Sequence, residues 1–289
     1  MSSLIHIFDD NKFYTRLILL ILIELGNFYL LESPLNIMIT AIEVVVVMSL
    51  MIRKDYPSAL IFHVIFCLTG CDATSASSDA QLFSYPEIKL IGPLTLSYIL
   101  LGMLWLANRK KTIQAPKDSL LWGVRKLMSF FLIYGTGIGV LGLLIFNYRL
   151  NDFITAFIYI FVGYLYVDIF SRNYDDNYLH KCKNAAMSLL LTAPIVSFIS
   201  YFLLNIRVSY SVFDALVFNE EFIMGAILIL ILFTDVKYKV AYMVSLTLYI
   251  VCLVIAGRGG FFLSLLICFL VLIYFTYFVP NSILKYDRK

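Results

Sequence analysis

The sequence predicts an all-α protein: a polytopic transmembrane helical bundle of about ten spans, with both termini cytoplasmic. Three observations point there. Of the 289 residues, 61% are hydrophobic and only 14% are charged, whereas soluble domains carry roughly 25% charge. Mean hydropathy is +0.89, more apolar sequence than a water-facing surface accommodates. Apolar runs recur at the length of a bilayer crossing, and Lys and Arg gather in every second connecting segment.

A spanning helix needs about 20 mostly apolar residues, within roughly 17–25. Such runs lie near 13–31, 35–52, 57–71, 90–107, 127–147, 153–170, 186–204, 219–235, 239–256 and 260–278. The segment before the first, MSSLIHIFDDNKFYTR, lacks the short apolar core and small-residue site of a cleaved signal peptide, so that run is expected to stay as a helix. Spans one and two are joined by a tight turn at Glu32-Ser33-Pro34; the third span is the shortest. Between spans three and four, CDATSASSDAQLFSYPEIK is small and polar, as an exposed loop should be. The next connection, NRKKTIQAPKDSLLWGVRK over 108–126, is basic. Its second half, with Leu120, Leu121, Trp122 and Val124, fits either a topology anchor or an amphipathic turn on the membrane surface. The apolar runs are continuous rather than alternating, which argues against a barrel, and helices satisfy their own backbone in lipid. The 24 Phe and 20 Tyr suit membrane interfaces. With no internal repeat and no separate soluble region, residues 1–289 read as one integral membrane domain.

Cytoplasmic loops are enriched in Lys and Arg. With the N-terminus inside and the spans alternating, 18 of the 22 basic residues fall on the inner side. Only Lys89, Arg149, Arg207 and Arg258 fall outside. The net charge of +3 is therefore a topology signal, and no nucleic-acid partner is expected. A membrane location is expected, with the lipid bilayer itself as the first partner.

Several chemistries lack their signatures. The sequence has no P-loop, G-x-S-x-G or H-E-x-x-H, and Asp175-Asp176 is the nearest approach to an acidic motif. His6, His63 and His180 do not form a set. Cys67, Cys71, Cys182, Cys252 and Cys268 lack metal-ligand spacing, so neither metal nor cofactor is expected. Leu68-Thr69-Gly70-Cys71 looks like a lipoprotein cleavage box, but it follows two earlier spans and reads as coincidence. Ionisable groups inside spans are costly and mark function by default. Glu24 and Glu43 fall near the middle of the first two spans, at similar depth, where two close carboxyl groups would share a proton. The alternative is a carboxyl group hydrogen-bonded to a neighbouring helix. His63, in the third span, has the same two readings.

The most specific feature is Gly257-Arg258-Gly259-Gly260, set where the ninth span ends and the tenth begins, on the outer side. An Arg grips phosphate through two parallel hydrogen bonds. The glycines allow close backbone approach, and a helix N-terminus behind them adds N–H donors. The alternative is an interfacial turn with an Arg at headgroup level.

The stretch 250–273, IVCLVIAGRGGFFLSLLICFLVLI, resembles the signature helix pair of the O-antigen ligase and polymerase superfamily. Gly257-Arg258-Gly259 stands for the family's Ser-Arg-Gly turn, and Phe262-Leu263-Ser264-Leu265-Leu266 for the small, Leu-rich helix after it. Asn219, in Phe218-Asn219-Glu220-Glu221, matches one position of an upstream Asn-Pro-Asn-like element. The resemblance spans about 215–275. It implies metal-independent glycosyl transfer at the outer face, from an undecaprenyl-pyrophosphate-linked oligosaccharide to a second lipid-linked glycan or to lipid A-core. A flippase and a chain-length regulator would be further partners in polysaccharide biosynthesis. Arg258, with Gly257 and Gly259, would hold the pyrophosphate. Arg207 and Arg149 are further substrate-binding candidates by position. Glu220 and Glu221 are catalytic candidates beside Arg258, to orient or deprotonate an acceptor hydroxyl; the alternative is favourable charge at a helix start. The chain differs from the family in lacking a later outer loop with a His, which reads as a shortened member. Two other readings stay open. One is a transporter or flippase of a lipid-linked or anionic substrate, resting on Glu24, Glu43 and His63. The other is a non-catalytic subunit of a glycan-export complex.

Overall fold

Among the described residues the chain forms seven α-helices and one small hairpin. The computed structural model describes residues 6–29, 35–69, 85, 86, 88–91, 94–117, 119–145 and 149–199, with single positions at 240, 243, 244, 247, 248, 251, 266 and 270. After a turn of 3-10 helix over Asp10–Lys12 come α1 (Phe13–Tyr29), α2 (Asn36–Ile52) and α3 (Tyr56–Thr69). A hairpin of β1 (Lys89–Ile91) and antiparallel β2 (Leu94–Thr95) leads into α4 (Leu96–Asn108). The long helices α5 (Leu120–Ile145), α6 (Leu150–Arg172) and α7 (Asp176–Phe198) complete the described order. The described residues are thus mostly helical.

The chain divides into two compact units. One comprises Met1–Glu32, Cys71–Gln81 and Lys183–Lys289; the other comprises Ser33–Gly70 and Leu82–Cys182. In the second unit α2 packs on α3, α3 on α4, α4 on α6, and α6 on α5. The α5/α6 contact is close because each helix offers a glycine to the other. A Cβ on Gly139 would overlap the Phe153 ring, and one on Gly163 would come within 2.6 Å of Met128 Cε. In the first unit α1 and α7 face each other through side chains described below.

On α1 and α2, polar side chains are buried and many large apolar ones are exposed. Along α2 the buried positions are Asn36, Thr40, Glu43, Val47 and Leu50, spaced three or four apart on one face. The exposed positions include Ile37, Met38, Ile42 and Val45. On α1, Arg16, Glu24 and Asn27 are buried while Ile18 and Leu22 are exposed. A run of four valines, Val44–Val47, weakens helix propensity in water, yet it is helical here. Among the described helices, Leu121–Ile145 is long and apolar enough to cross a membrane, and almost none of it is buried. Asn36–Ile52, Tyr56–Thr69 and Leu96–Asn108 are apolar but shorter, about 26, 21 and 20 Å at 1.5 Å per residue.

Three boundaries differ from expectation. The 90–107 run opens as the hairpin and becomes helical only at Leu96. The second half of the 108–126 connection is the first turn of α5, not a separate surface element. Ser119 Oγ accepts the Trp122 N–H at 3.3 Å, an N-cap. The 186–204 run begins ten residues early, at Asp176, because the Asp175 side chain accepts the Tyr178 N–H. Asp175 is a helix cap, which accounts for one half of the Asp175-Asp176 pair. The expected spans at 219–235, 239–256 and 260–278 lie outside the described residues, apart from single positions.

Candidate functional site

A buried polar cluster lies in the second unit, between α2, α3, α4 and α6. Glu43 comes from α2, and His63 and Cys67 from successive turns of α3. Thr95 and Ser97 stand at the start of α4, Tyr166 on α6, and Tyr85 just before the hairpin. Tyr85 is completely buried, and Glu43, His63 and Ser97 nearly so. His63 Nδ1 is 2.8 Å from Tyr85 Oη. Its Nε2 is 3.7 Å from Cys67 Sγ, and Tyr166 Oη donates to the same sulfur at 3.9 Å. Thr95 and Ser97 hydroxyls are 2.8 Å apart. The rings of Tyr85 and Tyr166 both pack on the imidazole. Burial pushes the Tyr85 phenol up from its ordinary value, and Cys67 and Glu43 act in the same direction, so Tyr85 keeps its proton. A neutral imidazole donates through one nitrogen and accepts through the other. The Tyr85–His63–Cys67–Tyr166 chain can therefore pass a proton along its length by reversing its hydrogen bonds.

A second cluster ties the opposite ends of these helices together. Asp168 of α6 has no exposed surface. It accepts from Trp105 Nε1 at 2.9 Å, Arg125 Nε at 2.8 Å and Arg172 Nε at 2.8 Å. Arg172 also donates to the carbonyls of Arg109 and Lys111. Lys111 donates to Asn173 Oδ1 at 2.9 Å and lies over the Tyr56 ring. The N–H groups of Gln114 and Ala115 both reach the Ser171 carbonyl. Tyr56, 109–125 and 171–173 thus meet at one end, and the alternation of charges assigns these segments to one side. Asp168 was missed in the sequence; its signal was an ionisable group within the 153–170 run, four residues before Arg172, while Trp105 and Arg125 gave no sign of sharing it.

The residues expected to carry chemistry separate into two sets. Gly257, Arg258, Gly259, Glu220, Glu221 and Arg207 lie outside the described residues. Arg149 is described: it stands at the N-cap of α6, exposed, with its carbonyl accepting the Phe153 N–H. Of the intramembrane candidates, Glu43 and His63 share the polar cluster. Glu24 belongs to the other unit, where its Oε1 lies 2.7 Å from Thr192 Oγ1. Cys67, which in the sequence stood out only as lacking metal-ligand spacing, is part of the cluster. Its signal was the i, i+4 spacing from His63; Tyr85 and Ser97 gave none. Among the described residues no group of three His, Cys, Asp or Glu side chains is placed to hold a metal ion. No protein-family model, curated protein or solved structure matches the chain.

Proposed function

We propose that the chain is a multi-spanning inner-membrane glycosyltransferase that joins undecaprenyl-pyrophosphate-linked oligosaccharide repeat units at the outer face. The observation that carries this reading is the Gly257-Arg258-Gly259 junction. It resembles the polymerase and ligase signature, and its Arg is among only four basic residues that the alternation of charges leaves outside. The membrane setting is supported by the burial of polar groups and exposure of apolar ones on α1 and α2, and the count of ten spans rests on the apolar runs of the sequence. In the proposed reaction an acceptor hydroxyl attacks the anomeric carbon and the bond to undecaprenyl pyrophosphate breaks. The hydroxyl proton passes to Glu220 or Glu221. Arg258 pairs with the departing pyrophosphate, whose negative charge grows as the bond opens. Arg207 and Arg149 supply further positive charge on the same face. Arg258→Ala is expected to abolish long glycan chains on a gel while leaving the single-repeat product; unchanged chain lengths overturn the proposal.

A second reading is favoured by one observation, the Glu43–His63–Tyr85–Cys67 cluster. A buried chain of proton-bearing side chains suits a transporter or flippase coupled to proton movement. Under that reading Glu43→Gln stops translocation and Arg258→Ala leaves it intact.

A further inference from the structure

The α1/α7 pair holds a buried carboxyl group that the proposed transfer does not use. Thr192 Oγ1 lies 2.7 Å from Glu24 Oε1 and 3.1 Å from the Leu189 carbonyl. A threonine hydroxyl has one hydrogen and two lone pairs, so it cannot fully serve two acceptors. One turn earlier, the same helix shows how a hydroxyl is satisfied there. Arg16 Nε donates to Ser188 Oγ at 2.6 Å, and Ser188 Oγ donates to the Asn184 carbonyl at 2.8 Å. Ser188 accepts once and donates once. Thr192 repeats that arrangement only when Glu24 brings a hydrogen of its own.

The charges around Glu24 agree. Among the described residues no ion pair involves Glu24, and α7 carries no charged residue after Lys183. Arg16 is eight residues away, about 12 Å along the helix, and donates to Ser188 and to the Ile7 and Asp9 carbonyls. Glu24 Oε2 has no hydrogen-bond partner among the described residues. A buried carboxylate left so is far costlier than a neutral carbonyl oxygen.

We infer that Glu24 is a proton-binding site: a neutral carboxylic acid whose Oε1–H donates to Thr192 Oγ1, while Thr192 passes its own hydrogen to the Leu189 carbonyl. The inference goes beyond the transfer reaction and stands without it. The test is infrared spectroscopy of the full-length protein in lipid at neutral pH. The protonated-carboxyl C=O band is expected to lose intensity in Glu24→Gln and to keep the Glu24 contribution in Glu43→Gln. A band of the same intensity in wild type and Glu24→Gln overturns the inference. Should Glu24→Gln fail to fold, Thr192→Val decides: the Glu24 band must shift in frequency once its acceptor is gone, and an unmoved band overturns the inference.

Discussion

Asp168 shows how a single side chain organises one end of the second unit. Three donors from three elements converge on it, two of them guanidinium groups. Removing one member of a buried charge set leaves the others uncompensated, at a cost of about 3–5 kcal/mol. Asp168→Asn is therefore expected to lower the melting midpoint strongly. Replacing Asp175, a cap at the start of α7, by Asn should leave the midpoint almost unchanged, because Asn caps as well as Asp. The comparison is a thermal melt of both variants; similar losses would mean that Asp168 carries no special weight. At this scale the sequence was informative about type and poor about partners. Glu43 and His63 stood out because polar groups are rare in apolar runs. Tyr85 did not, because nothing in a polar loop marks a residue that returns to the interior.

The elements depend on their ends. Between α2 and α3 only Arg53, Lys54 and Asp55 intervene, and they both stop one helix and start the next. Lys54 N donates to the Met51 carbonyl and Asp55 N to the Leu50 carbonyl, the paired bonds of a Schellman ending. Lys54 sits at φ 61°, where glycine is the usual residue. Asp55 Oδ1 then accepts the Ser58 N–H at 3.3 Å, capping α3. Relieving the left-handed strain in Lys54→Gly should stabilise the protein by about 1 kcal/mol, seen as a higher melting midpoint; a lower one would refute it. At the α5/α6 contact, Gly139→Leu should cost about 1–3 kcal/mol by overpacking against Phe153, whereas Gly137→Leu, with open space around its Cβ position, should be tolerated in the same melt. Helix existence was legible from apolar length alone. Helix starts at Ser119 and Asp175 were not, because α7 opens on charged and polar residues and Arg125-Lys126 separate the first turn of α5 from the apolar run that follows it.

For the whole molecule, the charge pattern makes the sharpest claim. Arg149 and Lys89 are exposed at positions assigned outside, and Lys110 and Lys117 are exposed at positions assigned inside. In a cysteine-free background, a membrane-impermeant maleimide should label Lys89→Cys and Arg149→Cys on intact cells. Lys110→Cys and Lys117→Cys should react only after the membrane is opened; the reverse pattern would refute the orientation. The mostly helical character of the described residues was readable because the apolar runs are continuous and of helical length. The clustering of Glu43 with His63, and of Glu24 with Thr192, was not, because helix rotation and neighbour choice leave no periodic trace. The α1/α7 pairing also has a consequence for synthesis. Arg16 and its partner Ser188 are 172 residues apart. At roughly 5–20 residues per second, the ribosome needs about 9–34 s to deliver Ser188 after Arg16. During that interval the buried polar side chains of α1 have no α7 to face, so slowed elongation should prolong the exposure of the first helix to proteases.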